Sequence, residues 1–536
     1  MSDKIRYLQF ACLLGLIGLG CIVLSGCGDE VPKDPDGVEV VPSAQDTPLT
    51  SDQLDLGKQE NQAAQTESAD ADLPEVNSTE LYVGWNDPKD VIVFTGRQFG
   101  YIEPCGCTGL ERQKGGLARR HSFLRGLTAN DWNVISVDTG NQVRRFGRQP
   151  ELKFNLTSEL LSMMEYQAVG LGPDDLKLPA GELFAVAAVD DNEESMFVSS
   201  NVALLDRQFT RRLQLIETDH HAIAVASIIQ DDWLKSLFND DLIIENTEEA
   251  LKLVAADELF QQASLKILIV HGTLDYVREL AKSHKEYDLF VCAGVPGEPA
   301  YELEEVKGVQ SKVLKVGEKS MFASVVGIFD NGNGKPLLKY QRVPLDSNYS
   351  DSLEVLAMFK QYQEELKRAG YQGLGIQPES HISGYQFVGS KACADCHQEE
   401  FEVWENSSHS HATQSLIAPH GRADIPRQFD PECISCHSTG WQPQKYLPYE
   451  SGFMSLAETL NLQGNGCENC HGPGSEHVRQ ESDPNSPPDS LMKLRNFLRR
   501  DLEDAKTSCL SCHDLDNSPD FHHDGAFEEY WSKIKH

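Results

Sequence analysis

The sequence predicts an α/β domain followed by a smaller domain that is mainly α-helical and irregular. Between residues 88 and 345, short β-branched runs alternate with stretches of helical spacing, a pattern typical of α/β domains. Roughly the last 150 residues are poor in apolar runs and contain four Cys-x-x-Cys-His motifs. With 536 residues the chain is also too long for a single hydrophobic core.

The N-terminal segment has the features of an export signal. Lys4 and Arg6 precede an apolar run at 13–24, which is too short for a comfortable transmembrane helix. The run ends in Leu-Ser-Gly-Cys27, which resembles the lipobox of bacterial lipoproteins, where the cysteine is lipidated. We therefore expect a lipoprotein signal peptide at 1–26, lipid attachment at Cys27 and a membrane-anchored protein in the periplasm or on the cell surface. An ordinary secretory signal or a short anchor is the alternative.

Residues 27–86 predict a disordered acidic tether. Between positions 29 and 80 there are fourteen acidic side chains and two lysines, with no apolar period. Such a segment cannot bury enough apolar area to offset its ordering entropy. The net charge of the whole chain is −36, which argues against nucleic-acid binding and favours basic partners such as redox proteins.

Residues 87–345 predict the α/β domain. Buried strands are expected where β-branched runs occur, and helices where the spacing between them is helical. The expected strands are 90–95, 133–138, 222–229, 266–270 and 288–292. The expected helices are 115–127, 248–260 and 274–283.

Residues 346–384 predict a helical connector. An amphipathic helix is expected at 351–369, with Leu353, Leu356, Phe359 and Leu366 on its apolar side. Gly370 is the expected stop signal.

Residues 385–536 contain the most specific signal in the chain, the four Cys-x-x-Cys-His motifs. Each is a c-type haem attachment signature, in which two thiols form thioethers and the following histidine binds the iron. Zinc ribbons are the alternative, but zinc sites do not require a histidine after every second cysteine. We therefore predict four covalently bound haem c groups. The attachment cysteines are Cys393, Cys396, Cys433, Cys436, Cys467, Cys470, Cys509 and Cys512, and the proximal ligands are His397, His437, His471 and His513.

The α/β segment resembles the 5′-nucleotidase branch of the metallophosphoesterases over roughly residues 88–330. The resemblance rests on Glu-Pro-Cys105-Gly-Cys107, on Gly-Gly-Leu-Ala-Arg-Arg at 115–120 and on Val-Asp-Thr-Gly-Asn at 137–141. It implies a sandwich of mixed sheets with flanking helices, and in that family a pair of metal ions activates water.

Most positions that would hold these metals have changed residue. Arg97 and Phe99 stand where the family has Asp-x-His, Asn141 replaces the bridging Asp, and the Asn-His turn is Pro173-Asp174. Only His271 occupies a family ligand position. The resemblance thus implies a degenerate cleft, formed by Arg97, Phe99, Asn141, Asp174 and His271, without a divalent-metal pair or phosphoesterase turnover. Asp174 and Asp175 are expected to be solvated loop carboxylates. A displaced metal site that uses these two residues, or an anion on Arg97, is the alternative.

Cys105 and Cys107 are the cysteines of this resemblance that need a separate interpretation. A disulfide across one residue is strained, so two free thiols in a surface loop are expected. A metal or redox role near the haems is the alternative.

The C-terminal segment resembles the cytochrome c554 type of multihaem domain over roughly residues 386–515. The resemblance rests on Trp404-Glu-Asn-Ser-Ser-His409-Ser-His411 and on Cys-His-Gly-Pro-Gly-Ser-Glu-His477. It implies that His409 and His477 are distal iron ligands, with His411 as a close rival for the position of His409. The remaining candidates for sixth ligands are His381, His420, His522 and His523. Because six residues span at most about 20 Å, His477 is expected to bind the iron of a neighbouring haem rather than that held by His471.

These predictions together indicate an exported, lipid-anchored tetrahaem cytochrome that transfers electrons and carries a non-catalytic nucleotidase-like domain. A multihaem oxidoreductase that acts on a small nitrogen or sulfur compound at a five-coordinate haem is one alternative. An active phosphoesterase fused to a cytochrome is another. The ligand of the α/β domain is not predicted.

Overall fold

The computed structural model describes residues 81–106, 112–187, 195–237, 239–330, 332, 336–419 and 424–536. The predicted signal peptide, Cys27, nearly all of the predicted tether, Cys107 and His420 lie outside these residues. The described residues belong to one compact unit that extends from Val76 to His536. Among the helices in the described ranges, none combines the length and apolar character needed to cross a membrane.

Eighteen strands are present in the described residues. In chain order they are β1 (Asp90–Thr95), β2 (Pro104–Cys105), β3 (Lys114–Gly115), β4 (Val134–Asp138), β5 (Tyr166–Gly170), β6 (Phe197–Val198), β7 (Val202–Leu204), β8 (Leu213–Glu217), β9 (Ala222–Ile229), β10 (Leu242–Ile244), β11 (Leu265–His271), β12 (Leu289–Cys292), β13 (Glu304–Glu305), β14 (Lys312–Lys315), β15 (Phe322–Asp330), β16 (Pro336–Pro344), β17 (Trp441–Gln442) and β18 (Leu447–Pro448).

Two six-stranded mixed sheets form the centre of the α/β part. The first has the order β16-β15-β1-β4-β5-β6, with parallel pairs from β1 to β6 and antiparallel pairs at β15 and β16. The second has the order β13-β14-β12-β11-β9-β8, with antiparallel pairs at its two edges. Apolar side chains of both sheets, including Phe94, Val225 and Ile267, form one buried cluster between them. The two sheets are therefore packed face to face.

Eight α-helices flank these sheets. They are α1 (Leu117–Thr128), α2 (Arg148–Met163), α3 (Ala180–Ala187), α4 (Asp231–Leu234), α5 (Thr247–Ala256), α6 (Glu258–Gln262), α7 (Leu274–Ser283) and α8 (Leu353–Gly373). Helices α1, α2, α3 and α8 share a buried cluster with the outer face of the first sheet, and α5, α6 and α7 share one with the second. The predicted sandwich of mixed sheets with flanking helices is confirmed.

Several expected elements differ in detail. The helix expected at 248–260 is two helices, because Asp257 has an extended backbone and its side chain caps α6. In α8, Leu353 is 77% exposed, so its expected place on the apolar side is wrong, and Val355 and Tyr362 are buried instead. Gly370 has a φ of 58° and interrupts α8 where the stop was expected.

The C-terminal part consists of short helices joined by irregular segments, as predicted. These are α9 (Ser390–Ala394), α10 (Gln398–Glu405), α11 (Ala412–Ile417), α12 (Pro431–His437), α13 (Cys467–His471), α14 (Ser475–Glu481), α15 (Pro488–Leu498), α16 (Leu502–Leu510) and α17 (Ala526–Ile534). A small apolar cluster that includes Ile434, Trp441 and Phe453 packs beneath them. This side-chain core is much smaller than those of the α/β part.

Candidate functional site: a multihaem centre and its contact with the α/β domain

Each Cys-x-x-Cys-His motif lies in or beside a short helical turn. We number the motifs in chain order as motif 1 (393–397), motif 2 (433–437), motif 3 (467–471) and motif 4 (509–513). Helices α12 and α13 contain motifs 2 and 3, whereas motif 1 begins in α9 and motif 4 begins at the end of α16. In motifs 1 and 4 the histidine N–H donates to the carbonyl of the first cysteine, at 2.9 and 2.8 Å. This turn places both thiols and the imidazole on one short stretch of backbone.

The motif histidines are oriented as iron ligands would be. The Nδ1 atom of His437 lies 2.8 Å from the Ala412 carbonyl, and that of His471 lies 2.8 Å from the Leu498 carbonyl. His513 Nδ1 lies 2.8 Å from the Ser518 hydroxyl. A hydrogen bond at one ring nitrogen fixes the tautomer and aims the other nitrogen, which is the usual second contact of a metal-bound histidine. The residues therefore fit haem ligation through Nε2.

Three of the motif histidines face a histidine from elsewhere in the chain. The ring centroids of His397 and His477 are 6.4 Å apart. Those of His513 and His409 are 6.1 Å apart. Two imidazoles on opposite sides of one metal ion, each bonded at about 2 Å, have centroids roughly 6 Å apart.

The third pair includes a histidine that the sequence analysis did not select. His536 follows α17, and its ring centroid lies 5.8 Å from that of His471. His536 belongs to no recognisable motif, so the sequence indicates a ligand role only by the presence of a histidine outside the attachment motifs. Its role depends on a tertiary contact between the segment after α17 and motif 3.

The remaining histidine candidates are placed differently. His411 is exposed at the start of α11. The Nδ1 atom of His381 is hydrogen-bonded to the Ser383 hydroxyl, and the Nε2 atom of His522 lies 2.7 Å from the His513 carbonyl. His523 is exposed. These contacts give none of the four a facing motif histidine within the described residues.

The motifs lie next to one another in a definite order. Helices α9 and α13, which contain parts of motifs 1 and 3, are in contact, and the Cys436 thiol of motif 2 lies close enough to Cys512 of motif 4 for the two to interact. Helix α13 of motif 3 also contacts α16, which leads into motif 4. The order in space is therefore motif 1, motif 3, motif 4 and motif 2.

A large cavity lies beside motifs 1 and 3. Its volume is about 690 Å³, within the range of cofactor pockets. Its walls include both thiols of each of these motifs together with Trp404, His409 and His477. Glu468 also lines this cavity and is buried. Its carboxylate accepts the backbone N–H groups of Val388, Gly389 and Gly474.

The positions of the predicted degenerate cleft come together at the ends of strands from both sheets. Arg97 is 6% exposed, and its guanidinium donates to the Val295 carbonyl and lies 3.2 Å from Glu318. The same guanidinium lies 5.2 Å from the Phe99 ring centroid. The guanidinium of Arg97, with the Glu318 carboxylate and the Val295 carbonyl as its partners, therefore occupies this cleft.

His271 and Asn141 make internal contacts in the cleft. Fully buried His271 has its Nε2 atom 2.6 Å from the Thr139 carbonyl, and burial lowers its pKa to about 4. The Asn141 side-chain oxygen accepts the Asp174 N–H, and the Asp174 carboxylate pairs with Lys177. Within the described ranges, no group of three or more His, Cys, Asp and Glu side chains is arranged to hold a metal ion.

Two interpretations made from the sequence need correction here. Cys105 forms a disulfide and is 1% exposed, so it is neither a free thiol nor at the surface. Asp175 was expected to be a solvated loop carboxylate, but it is fully buried and accepts the backbone N–H groups of Asn141 and Gly172. Its burial raises its pKa to about 7.

The α/β part and the connector helix hold the helix of motif 2. Asp430 caps α12, and its carboxylate also accepts hydrogen bonds from Gln149 of α2 and Gln363 of α8, at 2.8 and 3.3 Å. Lys153 of α2 forms a 2.7 Å ion pair with Glu432. Burial and the nearby charge of Glu432 raise the pKa of Asp430.

Further contacts join the two parts on either side of motif 2. Arg427 forms an ion pair with Glu103 of the α/β part, with one contact at 2.7 Å. Tyr101 and Lys319 both bind Asp516, which follows motif 4. The motif-2 end of the cluster is thus covered by the α/β part.

Comparison with known proteins finds a family match in the C-terminal part of the chain. Residues 392–472 match the family described as cytochrome c554 and c-prime. Cytochrome c-554 of Nitrosomonas europaea is 29% identical over 97 residues, which cover 16% of this chain. The chain spans 39% of the length of that curated relative. Residues 392–472 are thus similar to a family of cytochromes c.

Solved structures are similar to this chain at low identity. A 5′-nucleotidase precursor from Thermus thermophilus has a TM-score of 0.44 and 14% identity, covering 61% of this chain and 66% of that protein. A calcineurin-like phosphoesterase from Bacillus subtilis has a TM-score of 0.39 and 14% identity, covering 52% of this chain and 97% of that protein.

Proposed function

We propose that this chain is an exported tetrahaem electron-transfer protein whose α/β part has lost phosphoesterase activity. The observation that carries the proposal is the set of three facing histidine pairs, in which each motif histidine meets a histidine from outside its own motif. A cofactor that needs ligands on two opposite faces accounts for such pairs, and c-type haem is that cofactor. When bound, haem supplies a one-electron iron couple.

The residues set how the haems are held. His397 and His477 hold the motif-1 haem, His471 and His536 the motif-3 haem, and His513 and His409 the motif-4 haem. Because each facing histidine comes from a different segment, ligation ties distant parts of the chain into one cluster. Two histidine ligands stabilise ferric iron, so low reduction potentials are expected.

The order of the motifs defines a route for electrons. Motif 1 is the exposed end, since 56% of the His397 side chain is accessible to solvent. Motif 2 is the covered end, beneath Lys153, Gln149 and Gln363. Electrons exchanged with a redox partner at motif 1 would pass through motifs 3 and 4 to motif 2.

Export and membrane anchoring form a separate part of the proposal. They rest on the lipobox-like sequence that ends at Cys27 and on the requirement for haem attachment outside the cytoplasm in systems that this chain resembles. Replacing Cys27 by serine should release the chain from membranes while its haems remain attached. Membrane retention of that variant would contradict the lipid anchor.

The contacts of Arg97 support the proposed loss of phosphoesterase activity. Arg97 places a positive charge where a divalent cation would have to bind, and Glu318 already neutralises that charge. The test is metal analysis of the purified holoprotein together with a phosphodiester assay in added Mn²⁺. Two tightly bound divalent ions per chain, or turnover, would contradict this part of the proposal.

Electron transfer is tested by a stepwise reductive titration of the holoprotein with its haem content measured in parallel. Four one-electron equivalents per chain, with low-spin spectra for the three His-paired haems, are expected. Fewer than three low-spin haems would contradict the ligand assignment even if all four haems were attached.

A further inference from the structure

A second cavity lies between the α/β part and motif 2, and its occupant is not explained by the electron route. Its volume is about 270 Å³. The α/β part contributes Tyr101, Arg144 and Arg145 to the walls, and the haem part contributes Cys433 and Tyr446. The cavity is therefore an interdomain pocket beside one of the haem attachment thiols.

The other charged side chains on these walls have ion-pair or hydrogen-bond partners within the protein. Lys153 pairs with Glu432, and Lys319 pairs with Asp516. The buried Asp430 carboxylate accepts hydrogen bonds from two glutamine side chains. Asp514 accepts the backbone N–H groups of the two residues that follow Leu515.

Arg144 and Arg145 are the exception. Both are exposed on the segment between β4 and α2, and within the described residues neither guanidinium has an ion pair or a hydrogen bond. Arg145 lies 4.0 Å from the Tyr446 ring centroid, and Arg144 lies 5.9 Å from that of Phe99. Stacking on an aromatic face positions a guanidinium and leaves its N–H donors available.

We propose that Arg144 and Arg145 bind an anionic group, a carboxylate or a small oxyanion, beside the haem attached to motif 2. A guanidinium group matches the geometry of such anions and can hold them through charge-assisted, bidentate hydrogen bonds. The same walls also carry the carboxylates of Asp514 and Asp516, so the anion would be held by guanidinium hydrogen bonds rather than by a net positive potential. The inference rests on the proposed function, since it requires a haem at motif 2.

Two sources supply this chemistry, a propionate of the haem itself and a diffusible oxyanion. A propionate bound here would be part of the haem site and would be stabilised in its ionised form by the arginines. A diffusible oxyanion would place a substrate or effector of the cytochrome at the covered end of the electron route.

The experiment compares the full-length holoprotein with Arg144→Gln, Arg145→Gln and the double variant. Arg125→Gln is the matched control, because Arg125 is an exposed arginine on α1 that pairs with Glu354. Haem content is measured first for every preparation. Inorganic phosphate and sulfate are then titrated calorimetrically, and the potentials of the haems are measured between pH 5 and 8.

Each result decides the proposal. Saturable phosphate or sulfate binding that weakens about tenfold or more for each arginine removed, but not in the control, identifies a diffusible anion. If no added anion binds, a lower and more pH-dependent potential of one haem in the arginine variants identifies a propionate. Removing a nearby positive charge disfavours the reduced, less positive iron. If all preparations contain four haems and the variants show neither weaker anion binding nor a changed potential, the proposal is overturned. If the unmodified protein contains no haem, the proposed function is overturned instead.

Discussion

The ion pair between Lys153 and Glu432 makes the clearest energetic prediction about how the α/β part holds motif 2. Replacing Lys153 by methionine keeps the aliphatic stem but leaves the Glu432 carboxylate without its cation. Lys153 is nearly buried, with 9% of its side chain exposed, while 30% of Glu432 is exposed. Burial, the largest influence, lowers the pKa of Lys153, but Glu432 and Asp430 outweigh it and raise the pKa overall.

The size of the effect follows from this geometry. At 2.7 Å and an effective dielectric constant of about 20, the Coulomb attraction is about 6 kcal/mol before desolvation is subtracted. Removing one partner of a fully buried pair costs about 3–5 kcal/mol. Because water reaches part of Glu432, we expect Lys153→Met to lower the free energy of unfolding by about 2–3 kcal/mol.

A double-mutant cycle with Glu432→Gln isolates the pair. Urea unfolding of the holoprotein, followed by far-ultraviolet circular dichroism, should give a coupling free energy of about 2 kcal/mol. Lys235→Met is the control, since Lys235 forms an equally short pair with Asp232 but 75% of its side chain is exposed. No measurable change is expected there. A coupling below about 0.5 kcal/mol for Lys153 and Glu432 would refute the claim that this contact anchors motif 2.

Three further predictions follow from other contacts. Replacing His536 by alanine should open one face of the motif-3 haem, so that the reduced variant binds one more CO per chain than the unmodified protein. His523→Ala is the control, because His523 is exposed. An unchanged CO stoichiometry in the His536 variant would refute the pair with His471. Glu468→Ala should destabilise the protein to urea by about 3 kcal/mol, because it leaves the buried N–H groups of Gly389 and Gly474 and the half-buried N–H of Val388 without an acceptor. A loss below about 1 kcal/mol would show that water replaces the carboxylate. Burial lowers the pKa of His271 from 6.5 to about 4. The fold therefore has its full stability from this group above pH 6.5, and about 3 kcal/mol of it is lost as the pH falls toward 4. His271→Gln should flatten the plot of unfolding free energy against pH in this range, and an unchanged slope would contradict the prediction.

The α/β fold was predictable from local sequence because its central strands are continuous apolar runs. Strands β1 and β9 and helix α7 have the bounds expected from the sequence. The antiparallel strand β16 was not expected. Its residues are mostly half-buried at the edge of the first sheet, so it lacks a clear apolar run or alternation. Pairing with β15 defines it, and such pairing is a long-range contact.

The haem site was predictable where the chemistry is local and not where it is tertiary. Thioether attachment needs two cysteines and a histidine within five residues, so each motif can be recognised from sequence alone. The facing histidines are supplied by distant segments. His409 and His477 were selected through a family resemblance, whereas His536 has no local signal and was missed.

The fate of the α/β cleft shows the same division. That Arg97 and Phe99 differ from the residues implied by the nucleotidase resemblance could be read from the sequence directly. That Arg97 would be held by Glu318 and the Val295 carbonyl could not, because those partners are about two hundred residues away in sequence. Cys105 was expected to be a free thiol, but it forms a disulfide, which no local pattern in the sequence indicates.

The central claim is that four haems are held in one cluster for electron transfer. The most direct test is the intact mass of the exported, purified chain, combined with a reduced-minus-oxidised spectrum recorded with and without CO. We predict four covalent haems per chain and no CO binding at the haems of motifs 1, 3 and 4. Fewer than four haems, zinc in place of iron, or CO binding at more than one haem would contradict the account.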